Sequence, residues 1–152
     1  MVATEVRVGP WGGDGGEHRM EFKIKDGWEL KKITVVSTKN GCVHSIEFIY
    51  LDDDNNLQHK KYGGDAPSDA TPETLIIKDG KKITAIGGTV GSYEVYTVIT
   101  SLRFKVGNDD YKTFGTPRGT PFLLPVSLGD VSGFFGHYGG DLDSMGVIIS
   151  PS

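Results

Sequence analysis

Apolar and polar residues alternate with a period of two along most of this chain. Glu21-Phe22-Lys23-Ile24-Lys25 is one such run, and Ile33 to Ser37, Ser45 to Leu51, Leu75 to Lys78, Val95 to Ile99 and Leu102 to Val106 repeat it. Alternation of this kind puts one face of an extended segment in a core and the other in water, so each run predicts a β-strand. No segment keeps a helical period for three turns. Asp26-Gly27, Asn40-Gly41, Asp79-Gly80 and Gly107-Asn108 supply turn chemistry between the runs, which predicts short strands in an all-β protein.

Three landmarks recur at intervals of about 50 residues. An aromatic residue followed by glycine stands at Trp11-Gly12, Tyr62-Gly63 and Phe114-Gly115. Lys31-Lys32-Ile33-Thr34 returns as Lys81-Lys82-Ile83-Thr84, with Gly129-Asp130-Val131-Ser132 as a weaker third copy. Ser45-Ile46-Glu47-Phe48, Ser101-Leu102-Arg103-Phe104 and Ser144-Met145-Gly146-Val147 form the third set. A unit of this size holds about four strands and is too small to bury a core alone. Three units must share one core, and a β-prism satisfies them: three four-stranded Greek-key sheets around a pseudo-threefold axis, each with its apolar face inward. The expectation is one domain over residues 1–152.

Composition narrows the partners. The 22 glycines are about twice the usual share of roughly 7% and lie between β-rich runs, which points to many turns rather than disorder. A net charge of −4 gives no basic footprint for nucleic acid or anionic membrane. Cys42 is the only cysteine, so an internal disulfide and a thiol-dependent zinc site are both excluded by count. The N-terminal Met1-Val2-Ala3-Thr4-Glu5-Val6-Arg7 has neither a basic nor an apolar leader region, and no run approaches the ~20 apolar residues of a membrane span. The expected location is cytoplasmic or nucleocytoplasmic, with no membrane insertion. Met1 equally fits a domain excised from a larger protein.

The candidate chemistry lies at the two ends of the chain. Gly139-Gly140-Asp141-Leu142-Asp143 precedes the last apolar run, and Gly12-Gly13-Asp14-Gly15-Gly16 answers it from the N-terminus. A monosaccharide presents paired hydroxyls, each both donor and acceptor. Its receptor needs a fixed carboxylate to accept O–H bonds and nearby backbone N–H groups to donate. Glycines let the backbone come that close. The residue before each serine landmark is His44, Thr100 and Asp143 in turn, so only the third repeat offers a carboxylate. One site is expected. In a threefold arrangement the loop of the neighbouring repeat would bring Gly12 to Gly16 beside it.

At these residues the chain resembles the jacalin-related plant lectins, and the resemblance runs over nearly its whole length. It rests on Gly9-Pro10-Trp11-Gly12-Gly13-Asp14-Gly15-Gly16, Gly119-Thr120-Pro121-Phe122, Gly133-Phe134-Phe135-Gly136 and the Gly139-to-Asp143 motif. The resemblance implies the β-prism I fold and sugar binding without hydrolysis or cofactor. It implies donation from the backbone N–H groups of Gly16, Gly140 and Asp141, and acceptance by Asp143 from the O4 and O6 hydroxyls. Leu142 would support the loop or touch the sugar, and Gly139 opens the motif. Thr89-Val90-Gly91-Ser92, read as lying between strands of the second repeat, resembles a loop that rims the site and tunes glycan length. Some relatives carry a second site with an aspartate where His44 stands, beside a loop matching Gly63-Gly64. The unbroken first loop resembles the mannose/glucose-preferring branch, and the absence of a bulky residue at Gly140 leaves galactose tolerable. Implied partners are mono- and oligosaccharides or glycoproteins, with a homodimer or fusion to another, defence-related domain as routes to avidity.

Each signal has a plainer reading. Trp11 and Trp28 stack on a sugar or simply pack in the sheet. Asp52-Asp53-Asp54-Asn55-Asn56 departs from a calcium loop at Leu57 and Gly63 and reads as a solvated hairpin turn. His18, His44, His59 and His137 lack close metal-ligand spacing, so no metal site is expected. Asp141 and Asp143 share one short loop, whereas glycosidase carboxylates flank the scissile bond at separations of roughly 5 to 9 Å. The rival to a sugar-binding module is a protein-interaction scaffold with the same fold.

Overall fold

The computed structural model describes residues 4–151; Met1, Val2, Ala3 and Ser152, which include both ends of the expected 1–152 unit, lie outside the described residues. Twelve strands follow one another: β1 (Val6–Gly12), β2 (His18–Lys23), β3 (Glu29–Ser37), β4 (Val43–Leu51), β5 (Leu57–Gly63), β6 (Thr71–Ile76), β7 (Ile83–Tyr93), β8 (Tyr96–Val106), β9 (Lys112–Gly115), β10 (Thr120–Pro125), β11 (Asp130–Tyr138) and β12 (Leu142–Ser150). Among the described residues no helix is long and apolar enough to cross a membrane. The strands form three antiparallel sheets ordered β1-β12-β11-β2, β5-β4-β3-β6 and β10-β7-β8-β9. In the latter two, three consecutive strands pair in order and the fourth returns beside the first, which is the Greek key. The first sheet has the same plan but draws β11 and β12 from one end of the chain and β1 and β2 from the other.

The sequence landmarks fall at equivalent places. Each aromatic-glycine pair ends an outer strand, and each serine landmark lies on the central strand beside it. The registers Gly12↔Ser144, Gly63↔Ser45 and Gly115↔Ser101 coincide. The inward faces meet in one core in which every sheet places a phenylalanine near the axis. Phe48 on β4 stacks on Phe134 on β11 at 4.9 Å between centroids, and Phe104 on β8 meets Phe134 edge-on at 6.5 Å.

Two segments differ from the sequence reading. The separate runs Val95 to Ile99 and Leu102 to Val106 fall, from Tyr96 onward, in one strand, β8. Thr89, Val90 and Gly91 lie inside β7, paired with Ser101, Ile99 and Val98, so they do not form a loop between strands. Gly87, Gly88 and Gly91 hid this strand because glycine reads as punctuation. At Gly88, glycine is required by packing: a Cβ would come within 3.0 Å of the Phe122 ring and 2.2 Å of the Ser101 carbonyl oxygen. The connection between β7 and β8 is the short turn at Glu94-Val95.

Candidate functional site

The order of the first sheet dictates what sits over Asp143. β1 and β2 are its two edge strands, yet only residues 13–17 connect them. Crossing β12 and β11 covers three strand spacings, about 14 Å, and five residues reach about 17 Å at full extension. The connection must therefore run almost straight across the end of the sheet, over the β11–β12 turn that carries Asp141. The sequence reading placed these glycines beside Asp143 as a loop from a neighbouring repeat; they arrive instead from the same sheet, through the β1–β12 pairing. The Gly13 N–H donates to the Asp143 carbonyl oxygen at 2.9 Å and anchors the crossing.

Asp143 itself is 6% exposed, near the start of β12. Its two carboxylate oxygens lie against glycine backbone: a Cβ on Gly15 would stand 2.9 Å from Oδ1, and one on Gly16 2.7 Å from Oδ2. Gly16 also has φ +88°, a conformation that L side chains rarely adopt. Burial pushes the Asp143 carboxyl above the ordinary carboxylate range, and the neighbouring Asp141 adds to this; the Gly139 backbone amide and His137 pull the other way. A desolvated carboxylate with so little internal compensation is a strong acceptor for incoming O–H groups.

The rest of the motif divides by depth. In the turn, the Gly139 N–H donates to the Asp141 carbonyl oxygen at 3.0 Å. Gly140 faces open space, with nothing within 4 Å of where a Cβ would stand. Leu142 is fully buried in the core cluster, where it holds the turn from beneath.

The two other repeat positions are occupied internally. Thr100 bonds to Thr89 Oγ1 at 2.7 Å and donates to the Arg118 carbonyl oxygen at 2.7 Å. His44, 1% exposed, contacts Thr38 Oγ1 through Nε2 at 3.0 Å and Asp141 Oδ1 through Nδ1 at 2.7 Å. Cys42 Sγ lies 3.8 Å from the same Nδ1. Burial pushes the Cys42 thiol well up, Asp141 adds to this and Arg118 opposes it. The loop after β5 packs on the motif as well, since a Cβ on Gly64 would stand 2.6 Å from Gly140 Cα.

The His44–Asp141 contact joins residues 97 positions apart, and no spacing along the chain signals it. The repeat alignment held a partial signal, because it made His44 the counterpart of Asp143. Sequence reasoning also missed the β7–β8 turn, which stands over the site. A Cβ on Gly13 would overlap the Thr97 carbonyl oxygen, and the Tyr93 ring lies edge-on to His44 at 5.9 Å. Trp11 and Trp28 are spent on packing, stacked on Phe122 at 4.7 Å and on Tyr50 at 4.5 Å. Asp52 caps the β4–β5 hairpin, with Oδ1 accepting the N–H groups of Asp54 and Asn56 at 2.9 Å each.

Three Greek-key sheets about a pseudo-threefold axis, with a carboxylate and glycine backbone gathered at one end, define the β-prism class of lectin folds. Residues 8–148 match the model of the Jacalin-like lectin domain. The chain belongs to that family. It is 37% identical over 148 residues to a mannose/glucose-specific lectin of Parkia pendula, a match covering 96% of this chain and 32% of that protein. To horcolin of Hordeum vulgare it is 33% identical over 154 residues, covering 99% of this chain and all of that one. The chain thus spans about a third of the Parkia protein and the full length of horcolin. Among solved structures, the Calsepa lectin in complex with a biantennary N-glycan superposes with a TM-score of 0.86 at 25% identity, covering both chains completely. A second, Calystegia sepium agglutinin, superposes with a TM-score of 0.85 at 25% identity.

Proposed function

We propose that the chain binds mannose/glucose-type glycans without turning them over, at the end of the first sheet. The observation that carries this reading is the buried Asp143 carboxylate enclosed by Gly15 and Gly16 backbone. Asp143 accepts two sugar hydroxyls, while the N–H groups of Gly16, Gly140 and Asp141 donate to ring and hydroxyl oxygens. Leu142 and Gly139 hold the turn. The Parkia relative, named mannose/glucose-specific, supports the sugar class. The open space at Gly140 leaves no wall against an axial O4, so galactose is tolerated with reduced preference. Hydrolysis is not expected, because Asp141 is held by His44 and shares a turn with Asp143, so the two do not face one another across a bond.

A shallow site for one sugar binds with a dissociation constant on the order of millimolar, about −4 kcal/mol. Useful avidity then comes from a second copy of the chain or an attached domain. The buried free thiol of Cys42 fits a reducing compartment.

The test is titration of methyl α-mannoside and methyl α-galactoside, by calorimetry or NMR, into the wild type and Asp143→Ala. Removing an acceptor of two charge-assisted hydrogen bonds costs about 1.5–3 kcal/mol or more, so the variant should show no measurable binding. A folded wild type silent at tens of millimolar of both sugars would overturn the reading and leave a protein-interaction scaffold. Turnover of aryl glycosides would overturn its non-catalytic part.

A further inference from the structure

Cys42, His44 and Asp141 bring a thiol, an imidazole nitrogen and a carboxylate oxygen within 4.8 Å of one another. From this juxtaposition we propose that the chain holds one borderline divalent transition-metal ion, Zn2+ or a close analogue, between these three side chains. The cysteine count that argued against zinc bears on sites with several thiolates. A Cys-His-Asp set is not excluded by it, and all three donor types bind zinc.

The geometry is that of a ligand set and not of a catalytic triad. In a nucleophile-base-orienter arrangement the thiol and the carboxylate address opposite nitrogens of the ring. Here Cys42 Sγ at 3.8 Å and Asp141 Oδ1 at 2.7 Å converge on the same atom, His44 Nδ1. Three donor atoms that all lie within 4.8 Å of one another leave one point within reach of all three. Zinc bonds of about 2.0–2.3 Å at tetrahedral angles put neighbouring ligand atoms roughly 3.3–3.7 Å apart. The Sγ to Nδ1 separation of 3.8 Å must close slightly, and the Nδ1 to Oδ1 separation of 2.7 Å must open by about half an ångström. Asp141 sits on a partly exposed turn, and its bond to His44 gives way as the ion takes Nδ1.

Thr38 supports either state of the ring. Its Oγ1 accepts the Cys42 N–H at 3.3 Å and lies 3.0 Å from His44 Nε2. In the metal-free protein the hydroxyl donates to Nε2 while Nδ1–H donates to Asp141. With an ion on Nδ1 the proton sits on Nε2 and the hydroxyl accepts it, the outer-shell contact that orients metal-bound histidines. Charges balance as the ion enters: the Cys42 thiol gives up its proton to solvent, and one thiolate, one carboxylate and a neutral imidazole meet a doubly charged cation. The resulting cluster is neutral, which suits a site as buried as Cys42 and His44. Arg118, in the β9–β10 connection, and Asp143, on β12, are the charges that bear on it.

Cobalt(II) is the probe, because a thiolate bound to it gives an intense near-ultraviolet charge-transfer band that oxygen-only sites such as the exposed Asp52, Asp53 and Asp54 cannot give. Reduced wild-type protein titrated with Co2+ should develop that band, saturate at one equivalent and lose it on adding Zn2+. Cys42→Ser should lack the band, and Asp141→Asn should weaken Co2+ binding at least tenfold. Should Cys42→Ser fold poorly, nitrogen NMR of His44 in the wild type gives the second readout: Zn2+ should shift Nδ1 into the range of a metal-bound nitrogen. A wild type without a charge-transfer band at millimolar Co2+, a band that persists in a folded Cys42→Ser, or a His44 Nδ1 signal unmoved by Zn2+ would each overturn the site. The readouts do not depend on sugar binding, so the proposal stands or falls apart from the lectin reading.

Discussion

At the residue scale, the burial of Asp143 that the proposed sugar site uses costs stability. Burial raises its pKa above the ordinary 3.8, so the folded chain disfavours the ionised form relative to the unfolded chain. The destabilisation is present above the folded pKa and disappears as pH falls below the unfolded one. Asp143→Asn should therefore match or exceed the wild type in urea unfolding at pH 7, and lose that margin in acid as the wild-type carboxyl protonates. In the proposed site only the carboxylate accepts two sugar hydroxyls, so affinity should fall tenfold per pH unit below the raised pKa. Calorimetric titrations from pH 7 downward would show an onset above the range of an unperturbed aspartate. Gly16 carries the complementary constraint. Gly16→Ala would put a methyl 2.7 Å from Asp143 Oδ2 and 2.8 Å from the Tyr138 nitrogen. Strain at its positive φ adds about 1–3 kcal/mol, so the variant should melt lower and bind sugar at least tenfold more weakly, a loss seen in the same titration.

At the element scale, the connections decide what the site can reach. The β7–β8 turn projects Val95, 88% exposed, and Tyr96, 54% exposed, beside the glycine crossing. Tyr96 precedes Thr97, whose carbonyl oxygen packs on Gly13, and an exposed aromatic face there can stack on a residue that follows the sugar proposed at Asp143. Tyr96→Ala should leave methyl α-mannoside affinity within about twofold and weaken a mannose oligosaccharide several-fold; equal losses for both ligands would show that the turn shapes the primary pocket. The sequence showed the alternating strands and the threefold landmarks because sheets with one solvated face write their burial into a period of two. It concealed β7 because Gly87, Gly88 and Gly91 carry no side chain to alternate, their space being filled by neighbours such as Phe122. Asp143 was legible because it breaks the repeat where His44 and Thr100 stand. The His44–Asp141 contact was not, because it depends on the β11–β12 turn packing against the start of β4 in another sheet.

At the scale of the whole molecule, one core serves three sheets, and its cooperativity can be tested at the axis. Phe134 belongs to the sheet built from both chain ends, yet it stacks on Phe48 of the second sheet and meets Phe104 of the third. All three rings are fully buried. Phe134→Ala removes the one ring that touches both others, and truncations of this kind cost about 3–5 kcal/mol. If each sheet were separately stable, the loss would stay in β11, β12, β1 and β2. Because a four-stranded unit of this size cannot bury its apolar face alone, the loss should spread: hydrogen exchange at the central amides of β4 and β8 should accelerate together with those of β12, and tryptophan fluorescence and far-ultraviolet circular dichroism should report one shared urea transition. Trp11 and Trp28 make the fluorescence informative, since Trp11 lies on β1 and Trp28 just before β3 and they stack on separate partners. Protection retained in β4 and β8 after the β12 amides exchange would mean that the prism unfolds sheet by sheet, and that Asp143 can lose its glycine cover without global unfolding.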